Sequence, residues 1–186
     1  MRRLLVPLLA LALACALAPP VEGGSRKAAR KRAEIDRMAR ETLERLFEEK
    51  PGAKDLFRKA RGYAVFDNLK LSLFISGGGG AGVAVDRKTG ERTYMRMGTA
   101  GLNLGLGGQK YQVVFLFADE RTFRDFVENG WQAGAEANAV AGKAGANAAA
   151  TFRQGMAVYQ LTEAGLMLQV DISGTRYWKW ERLNRR

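Results

Sequence analysis

The sequence predicts an α+β protein in which an antiparallel, glycine-rich sheet or small barrel is flanked by helices. A helical periodicity fills the N-terminal part of the chain, and strand-like apolar runs dominate from Gly62 onward. Between two of those runs, five of the six residues from Gly77 to Gly82 are glycine. With 186 residues and a hydrophobic content of 47%, the chain can form one domain with a sizeable core.

Charge and composition narrow the range of functions. The chain has 30 Lys and Arg residues against 19 Asp and Glu, and the net charge of +11 favours anionic partners such as phospholipid headgroups or nucleic acid. There is no histidine, so the usual general base and the commonest metal ligand are both missing. The one cysteine, Cys15, falls in a predicted leader. The sequence therefore predicts no enzyme, no metal site and no cofactor.

Residues 1–23 are predicted to form a secretory signal peptide. Two arginines supply its positive start, and the apolar run from Leu4 to Ala18 is too short to span a membrane comfortably. The cleavage point stays open, and so does acylation of Cys15, which a weak lipoprotein box precedes. The leader predicts a secreted protein, periplasmic or associated with the envelope. A secreted location argues against nucleic acid as the partner.

Residues 24–50 are predicted to form a basic amphipathic helix. Cations crowd its first turns and glutamates its last turns, an order that opposes the helix macrodipole. Either the basic end serves a partner, or it is a solvated and frayed start. Pro51 ends the helix, and residues 53–61 predict a short second one. The apolar residues that recur at helical steps are Ile35, Met38, Ala39, Thr42, Leu43, Leu46 and Phe47.

Residues 51–186 are predicted to form a β-rich domain. The glycine run predicts a tight β-bend or bulge between two strands. Gly77, Gly79 and Gly82 have the spacing of a dinucleotide-binding fingerprint, but a strand-like run follows instead of the helix that would receive the phosphates. The first strands are predicted at Tyr63–Phe66, Leu69–Ile75, Val83–Val85 and Glu91–Met97.

The second half of the chain alternates between strand and helix signals. From Gly101 to Gly107, leucine alternates with glycine and asparagine, which predicts a strand with an almost side-chain-free face. Residues 119–129 predict an amphipathic helix capped by Asp119 or Thr122. In residues 132–150 the alanine content favours a helix and the strict alternation with glycine a strand, and we prefer the strand. Further strands are predicted at Tyr111–Ala118, Gln154–Leu161, Leu166–Ile172 and Arg176–Leu183.

Aromatic and cationic residues are mixed in the last predicted strand. Tyr177, Trp178 and Trp180 lie next to a basic tail that contains Arg182 and Arg185. Such a mixture suits a membrane interface, where amphipathic rings lie at headgroup depth, or single-stranded nucleic acid, whose bases stack on the rings. It is more typical of a terminal strand that buries half of its aromatic residues in the core, and we prefer that interpretation.

Taken together, these motifs resemble the SYLF-domain family of lipid-binding proteins. The likeness covers about Leu43 to Trp180, most of the chain that follows the leader. Tyr111 departs from the pattern, because the family usually has a glycine there. The segments that carry the likeness are Gly62–Phe66, the glycine run Gly77–Gly82 leading into Val83, Gly101–Gln109, Gly134–Gly145, and Leu166–Ile172 followed by Gly174.

The resemblance implies binding rather than catalysis. Eukaryotic members bind phosphoinositides, a yeast branch binds and bundles actin, and bacterial members resemble secreted single-domain proteins. Lipid binding in the family is linked to a basic N-terminal segment and a positive patch. In this sequence the corresponding lipid-binding residues are Lys27, Arg30, Lys31, Arg32, Arg58, Lys59 and Arg61.

The predicted function is peripheral binding to anionic phospholipid, with anionic membrane lipid as the partner and neither nucleic acid nor metal involved. An alternative is a structural or protein-interaction module of the cell envelope, with a protein partner. A third interpretation is a carrier that holds one lipid chain in a cavity.

Overall fold

A computed structural model describes residues 22–73, 75–102, 107–132, 152–162, 165–166 and 174–185. Most of the predicted leader, with Cys15, lies outside these ranges, as do all but one residue of 132–150 and most of Leu166–Ile172. Among the described helices, none is both long enough and apolar enough to cross a bilayer.

Four helices and eight strands make up the described part of the chain. The helices are α1 (Glu22–Glu49), α2 (Pro51–Lys59), α3 (Glu120–Glu128) and α4 (Glu181–Asn184). The strands are β1 (Gly62–Leu73), β2 (Ile75–Asp86), β3 (Arg92–Leu102), β4 (Gly107–Phe117), β5 (Trp131–Gln132), β6 (Met156–Thr162), β7 (Gly165–Leu166) and β8 (Thr175–Lys179).

The strands form one antiparallel sheet in the order β5-β8-β3-β2-β1-β4-β6-β7. The sheet curls into a half-barrel. Phe115 on β4 and Tyr177 on β8 are four strands apart, about 19 Å in a flat sheet, yet their ring centroids are only 5.1 Å apart. The face that carries these rings is therefore the concave one. The predicted α+β fold with a glycine-rich antiparallel sheet is confirmed.

The glycine run lies inside a strand, so the predicted bend or bulge is wrong. β1 and β2 form one long antiparallel pair that extends to Leu73 opposite Ile75, and the register stays one-to-one through the whole run. Close approach of the two strands explains the composition. A Cβ on Gly80 would overlap the carbonyl oxygen of Asp67, and a Cβ on Gly82 would overlap that of Val65. The predicted strands over residues 63–66 and 69–75 are likewise not separate: the first and most of the second form one strand, β1, and Ile75 begins β2.

Each face of the sheet has its own apolar core. The concave core is aromatic and includes Phe66, Phe115 and Tyr177, against which α3 packs Phe126. On the convex face, α1 and α2 cover a core of mainly aliphatic residues. Asp119 caps α3 as predicted, since its side chain accepts a hydrogen bond from the backbone N–H of Thr122 at 2.8 Å.

Candidate anion-binding surface

Helix α1 positions the N-terminal cations. Ile35, Ala39, Leu43 and Leu46 are all buried and recur at three- and four-residue steps, so one stripe of the helix packs on the convex face of the sheet. The helix begins at Glu22 and ends at Glu49, close to the predicted bounds. Because the buried stripe faces the sheet, the cations of the first turns lie beside that stripe and on the solvent side of the helix.

A polar network fixes the first half of α1 to strand β3. The Tyr94 hydroxyl donates to Asp36 Oδ2 at 3.0 Å, and Arg92 Nε lies 3.6 Å from Asp36 Oδ1. Burial, followed by the nearby Asp36 carboxylate, raises the pKa of Tyr94 to about 12. The hydroxyl therefore remains protonated, and remains a donor, over the physiological pH range.

The C-terminal segment lies directly beside α1. Arg32 Nη1 donates to the carbonyl of Leu183 at 3.0 Å. Asn184 accepts from the Tyr94 N–H at 2.9 Å and donates to the Tyr94 carbonyl at 2.7 Å, which holds α4 on β3. These contacts bring Arg182 and the basic turns of α1 to a common groove. The sequence showed these C-terminal cations only as a basic tail.

Two adjoining grooves lie where α1 meets this segment, and we call them the basic grooves. They have volumes of about 330 and 550 Å³ and share Ala28, Arg182 and Leu183. Trp180 and Leu183 form apolar parts of the smaller groove. Together their linings contain one acidic residue, Glu34, and seven basic residues. The basic residues are Lys27, Arg30, Lys31, Arg32, Arg92, Arg182 and Arg185.

The single acidic residue does not neutralise this surface. Glu34 lies 3.5 Å from Arg30 Nε and 3.2 Å from Lys31 Nζ, so one carboxylate is shared between two cations. The Arg30 side chain remains 80% exposed. Exposed pairs of this kind are weak and exchange readily with other anions. The basic grooves therefore keep a positive excess that is accessible to an anionic ligand.

Aromatic side chains lie beside the basic grooves on the convex side. The Arg96 guanidinium lies 4.6 Å from the centroid of the Trp180 ring, a cation–π contact. Trp178 is 39% exposed and rests on Gly98, where a Cβ would lie 3.1 Å from Trp178 Cη2. Tyr177, which directly precedes Trp178 in the chain, is fully buried in the concave core. The terminal strand thus divides its aromatic residues between core and surface.

The structure does not bring all seven predicted lipid-binding residues together. Lys27, Arg30, Lys31 and Arg32 line the basic grooves. Arg58, Lys59 and Arg61 lie elsewhere, because neighbouring Phe57 packs on Phe47, with ring centroids 5.1 Å apart. Phe47 is 20 positions, or about 30 Å of helix, from Lys27. The Arg58 side chain pairs with Asp55 at 3.0 Å.

Arg61 has a structural ion-pair role. Its guanidinium donates to Asp86 and lies 3.3 Å from Glu120, and its side chain is only 16% exposed. The hydrogen bond from Arg61 is the main cause that lowers the pKa of Asp86 to about 2. Arg61 thereby joins the start of β1 to the end of β2 and to α3. Within the described residues, no group of three or more acidic, histidine or cysteine side chains is arranged to hold a metal ion.

Comparison with known proteins relates part of the chain to a family and most of it to one curated protein. Residues 98–186 match the family described as Ysc84, Las17-binding protein actin regulator. The match begins within β3 and includes α4 with Arg182, but not α1. Beta cell expansion factor A of Aeromonas veronii is 54% identical to the chain over 144 residues, which are 77% of this chain and 55% of that protein. The chain therefore spans about half the length of this curated relative.

The two matches agree with the motifs quoted from the sequence. Those motifs run from the long β1–β2 hairpin to β8, and they include the part of the chain that matches the family from Gly98 onward. The family is one of binding and interaction domains. Over residues 98–186 the chain matches the SYLF-domain family, and its likeness to the Aeromonas veronii protein is consistent with that family.

Proposed function

We propose that this protein binds anionic phospholipid surfaces peripherally through the basic grooves. The observation that carries the proposal is the excess of seven basic residues over one acidic residue in two adjoining grooves. A secreted, envelope-associated location, proposed from the leader, would place the protein next to such surfaces. The lipid- or actin-related interactions of the family are compatible with this role.

The physical basis is electrostatic attraction supplemented by aromatic insertion. A cation near a charged membrane surface contributes about 1 kcal/mol, and this attraction decays within a Debye length. Trp178 is exposed on the same convex side of the sheet, and an indole ring is favoured at headgroup depth. Binding should therefore require anionic lipid and weaken as salt is added.

Co-sedimentation with vesicles tests the proposal. We expect the protein to pellet with vesicles that contain anionic lipid at low salt and to be released from them at high salt. It should not pellet with purely neutral vesicles. The variant Lys27→Ala/Arg30→Ala/Arg182→Ala should weaken binding by about two orders of magnitude, because it removes three cations from the basic grooves.

A matched control separates this site from net charge alone. The variant Lys54→Ala/Lys88→Ala/Arg121→Ala removes three exposed cations from α2, the β2–β3 turn and α3. It should bind nearly as tightly as the parent protein. Equal losses in the two triple variants would reject the basic grooves as the site, and absence of binding to every vesicle would reject the lipid function.

A second candidate is a protein-interaction module of the cell envelope. It is favoured by the description of the matching family, which names a protein that its members bind. This alternative predicts a complex with an envelope protein that withstands high salt better than vesicle binding does. Cross-linking in intact cells, followed by identification of the partner, would test it.

A further inference from the structure

A third groove adjoins the basic grooves and has a different chemical character. It has a volume of about 500 Å³ and shares Lys31, Glu34 and Trp180 with the smaller basic groove. Gly79 and Ala81 of β2 form its floor, so we call it the glycine-floored groove. Two cations, Lys31 and Arg96, balance two carboxylates, Glu34 and Asp67, in its lining.

The missing side chain at Gly79 is not required by the sheet. A Cβ there would have its nearest neighbour, the carbonyl oxygen of Met97, at 3.6 Å, an ordinary contact. At Gly80 and Gly82, by contrast, a Cβ would overlap backbone of β1. Packing thus explains glycine at positions 80 and 82 but leaves position 79 unexplained. What Gly79 does provide is an open floor beneath the groove.

The two carboxylates determine what this groove can accept. Ionised carboxylates are acceptors only, so they bind donors such as hydroxyl groups and exclude bare anions. Asp67 is exposed and accepts a hydrogen bond from Gln112 Nε2 at 3.3 Å, and a carboxylate has more acceptor positions than this bond occupies. Lys31 lines both the glycine-floored groove and the smaller basic groove. A ligand that spans them needs an anionic group at one end and hydroxyl groups at the other.

We propose that the joined grooves recognise a phosphorylated polyol, presented as the phosphoglycerol headgroup of a membrane lipid. The phosphate would lie among the cations of the basic grooves, and the glycerol hydroxyls would donate to Glu34 and Asp67 above Gly79. This inference rests on the proposed lipid function and deepens it, because it specifies the headgroup chemistry rather than its charge alone.

The test compares two anionic lipids that carry the same single charge. Vesicles contain equal mole fractions of phosphatidylglycerol or of phosphatidylmethanol, whose headgroup lacks both hydroxyls. We expect the protein to bind phosphatidylglycerol vesicles about fivefold more tightly, as the loss of a hydrogen-bonded group predicts. Equal binding to both would overturn the inference and leave the lipid function intact, whereas binding to neither would reject both.

Two variants locate the preference within the molecule. Gly79→Leu places a side chain on the groove floor and should abolish the preference for phosphatidylglycerol while binding to phosphatidylmethanol vesicles persists. Gln132→Leu, on exposed β5, introduces the same leucine side chain at a position away from the groove and should keep the preference. Asp67→Ala, at an exposed position, gives a second test that does not depend on how β2 tolerates leucine. Retention of the preference in both Gly79→Leu and Asp67→Ala would overturn the inference.

Soluble glycerol 3-phosphate distinguishes the two possible sources of the headgroup. If the lipid is the ligand, excess glycerol 3-phosphate should displace the protein only weakly, because it lacks the rest of the membrane surface. Tight binding of glycerol 3-phosphate together with equal binding to the two vesicle types would reject the lipid as the source.

Discussion

Neighbouring glycines of β2 serve different purposes, and single substitutions can separate them. Gly80→Ala forces a Cβ into the Asp67 carbonyl group of the adjacent strand, so the two backbones must move apart. We expect a loss of about 2 kcal/mol in the free energy of unfolding. Gly79→Ala meets no such obstacle and should stabilise the protein by about 0.5 kcal/mol, because alanine restricts the unfolded chain. Urea unfolding of both variants measures the difference, and equal stabilities would contradict this account.

At the same scale, Asp86 should make stability depend on pH. The pKa of Asp86 is about 2 in the folded protein, below its ordinary value of 3.8, chiefly because Arg61 donates to it. Since the folded pKa is depressed, the stabilisation is fully present above about pH 4 and is lost as the pH falls toward 2. We expect the pair to stabilise the folded protein at neutral pH and to lose that contribution in acid.

Unfolding curves of Asp86→Asn measured from pH 6 to pH 2 test this expectation. The variant should be less stable than the parent at pH 6, and the two should converge as the pH approaches 2. Asp55→Asn is the control, because Asp55 pairs with Arg58 through side chains that are 68% and 67% exposed. Such exposed pairs contribute little. An identical pH response in the two variants would show that Arg61 does not set the acid sensitivity.

At the scale of elements, the Asp36–Tyr94 contact should hold the first half of α1 on the sheet. Tyr94→Phe removes a donor and leaves the Asp36 carboxylate facing an apolar ring. We expect a loss of about 1–2 kcal/mol and faster hydrogen exchange at α1 amides near Asp36. Tyr177→Phe deletes the same hydroxyl from a ring in the concave core, on the opposite face of the sheet from α1, and should leave that exchange unchanged. Unaltered exchange in Tyr94→Phe would show that apolar packing alone docks the helix.

The elements also show what local sequence can predict. Helix α1 was predictable because its buried stripe repeats at helical steps, which is a purely local signal. The glycine run was misread as a bend because glycine signals turns locally, whereas here its purpose depends on the approach of β1, visible only in the sheet register. The candidate site combines both cases. The helical pattern of α1 is enough to predict where Lys27 and Arg30 lie. The contact with the C-terminal segment could not be predicted locally, because the hydrogen bond between Arg32 and Leu183 joins residues 151 positions apart.

At the scale of the whole molecule, the two faces of the sheet have opposite surroundings. α1, the basic grooves and Trp178 lie on the convex side, whereas Trp131 packs against the aromatic core of the concave side. Trp131 lies 5.5 Å from Phe115, ring centroid to centroid, which confirms that it faces the interior. A protein bound through the basic grooves would therefore approach the membrane with its convex side, and the three tryptophans report on that orientation.

Fluorescence quenching by bromine-labelled acyl chains tests this orientation. We expect Trp178 to be quenched when the protein binds anionic vesicles, because its indole is exposed on the convex side and is favoured at headgroup depth. Trp178→Phe should lose part of the quenching and Trp178→Phe/Trp180→Phe most of it, because Trp180 lines the smaller basic groove, whereas Trp131→Phe should retain it. The reverse pattern would mean that the concave side meets the lipid and that the basic grooves face water. Vesicle binding is measured in the same samples. A protein that binds the vesicles but shows the reverse quenching pattern would therefore contradict the proposed orientation without contradicting the lipid function.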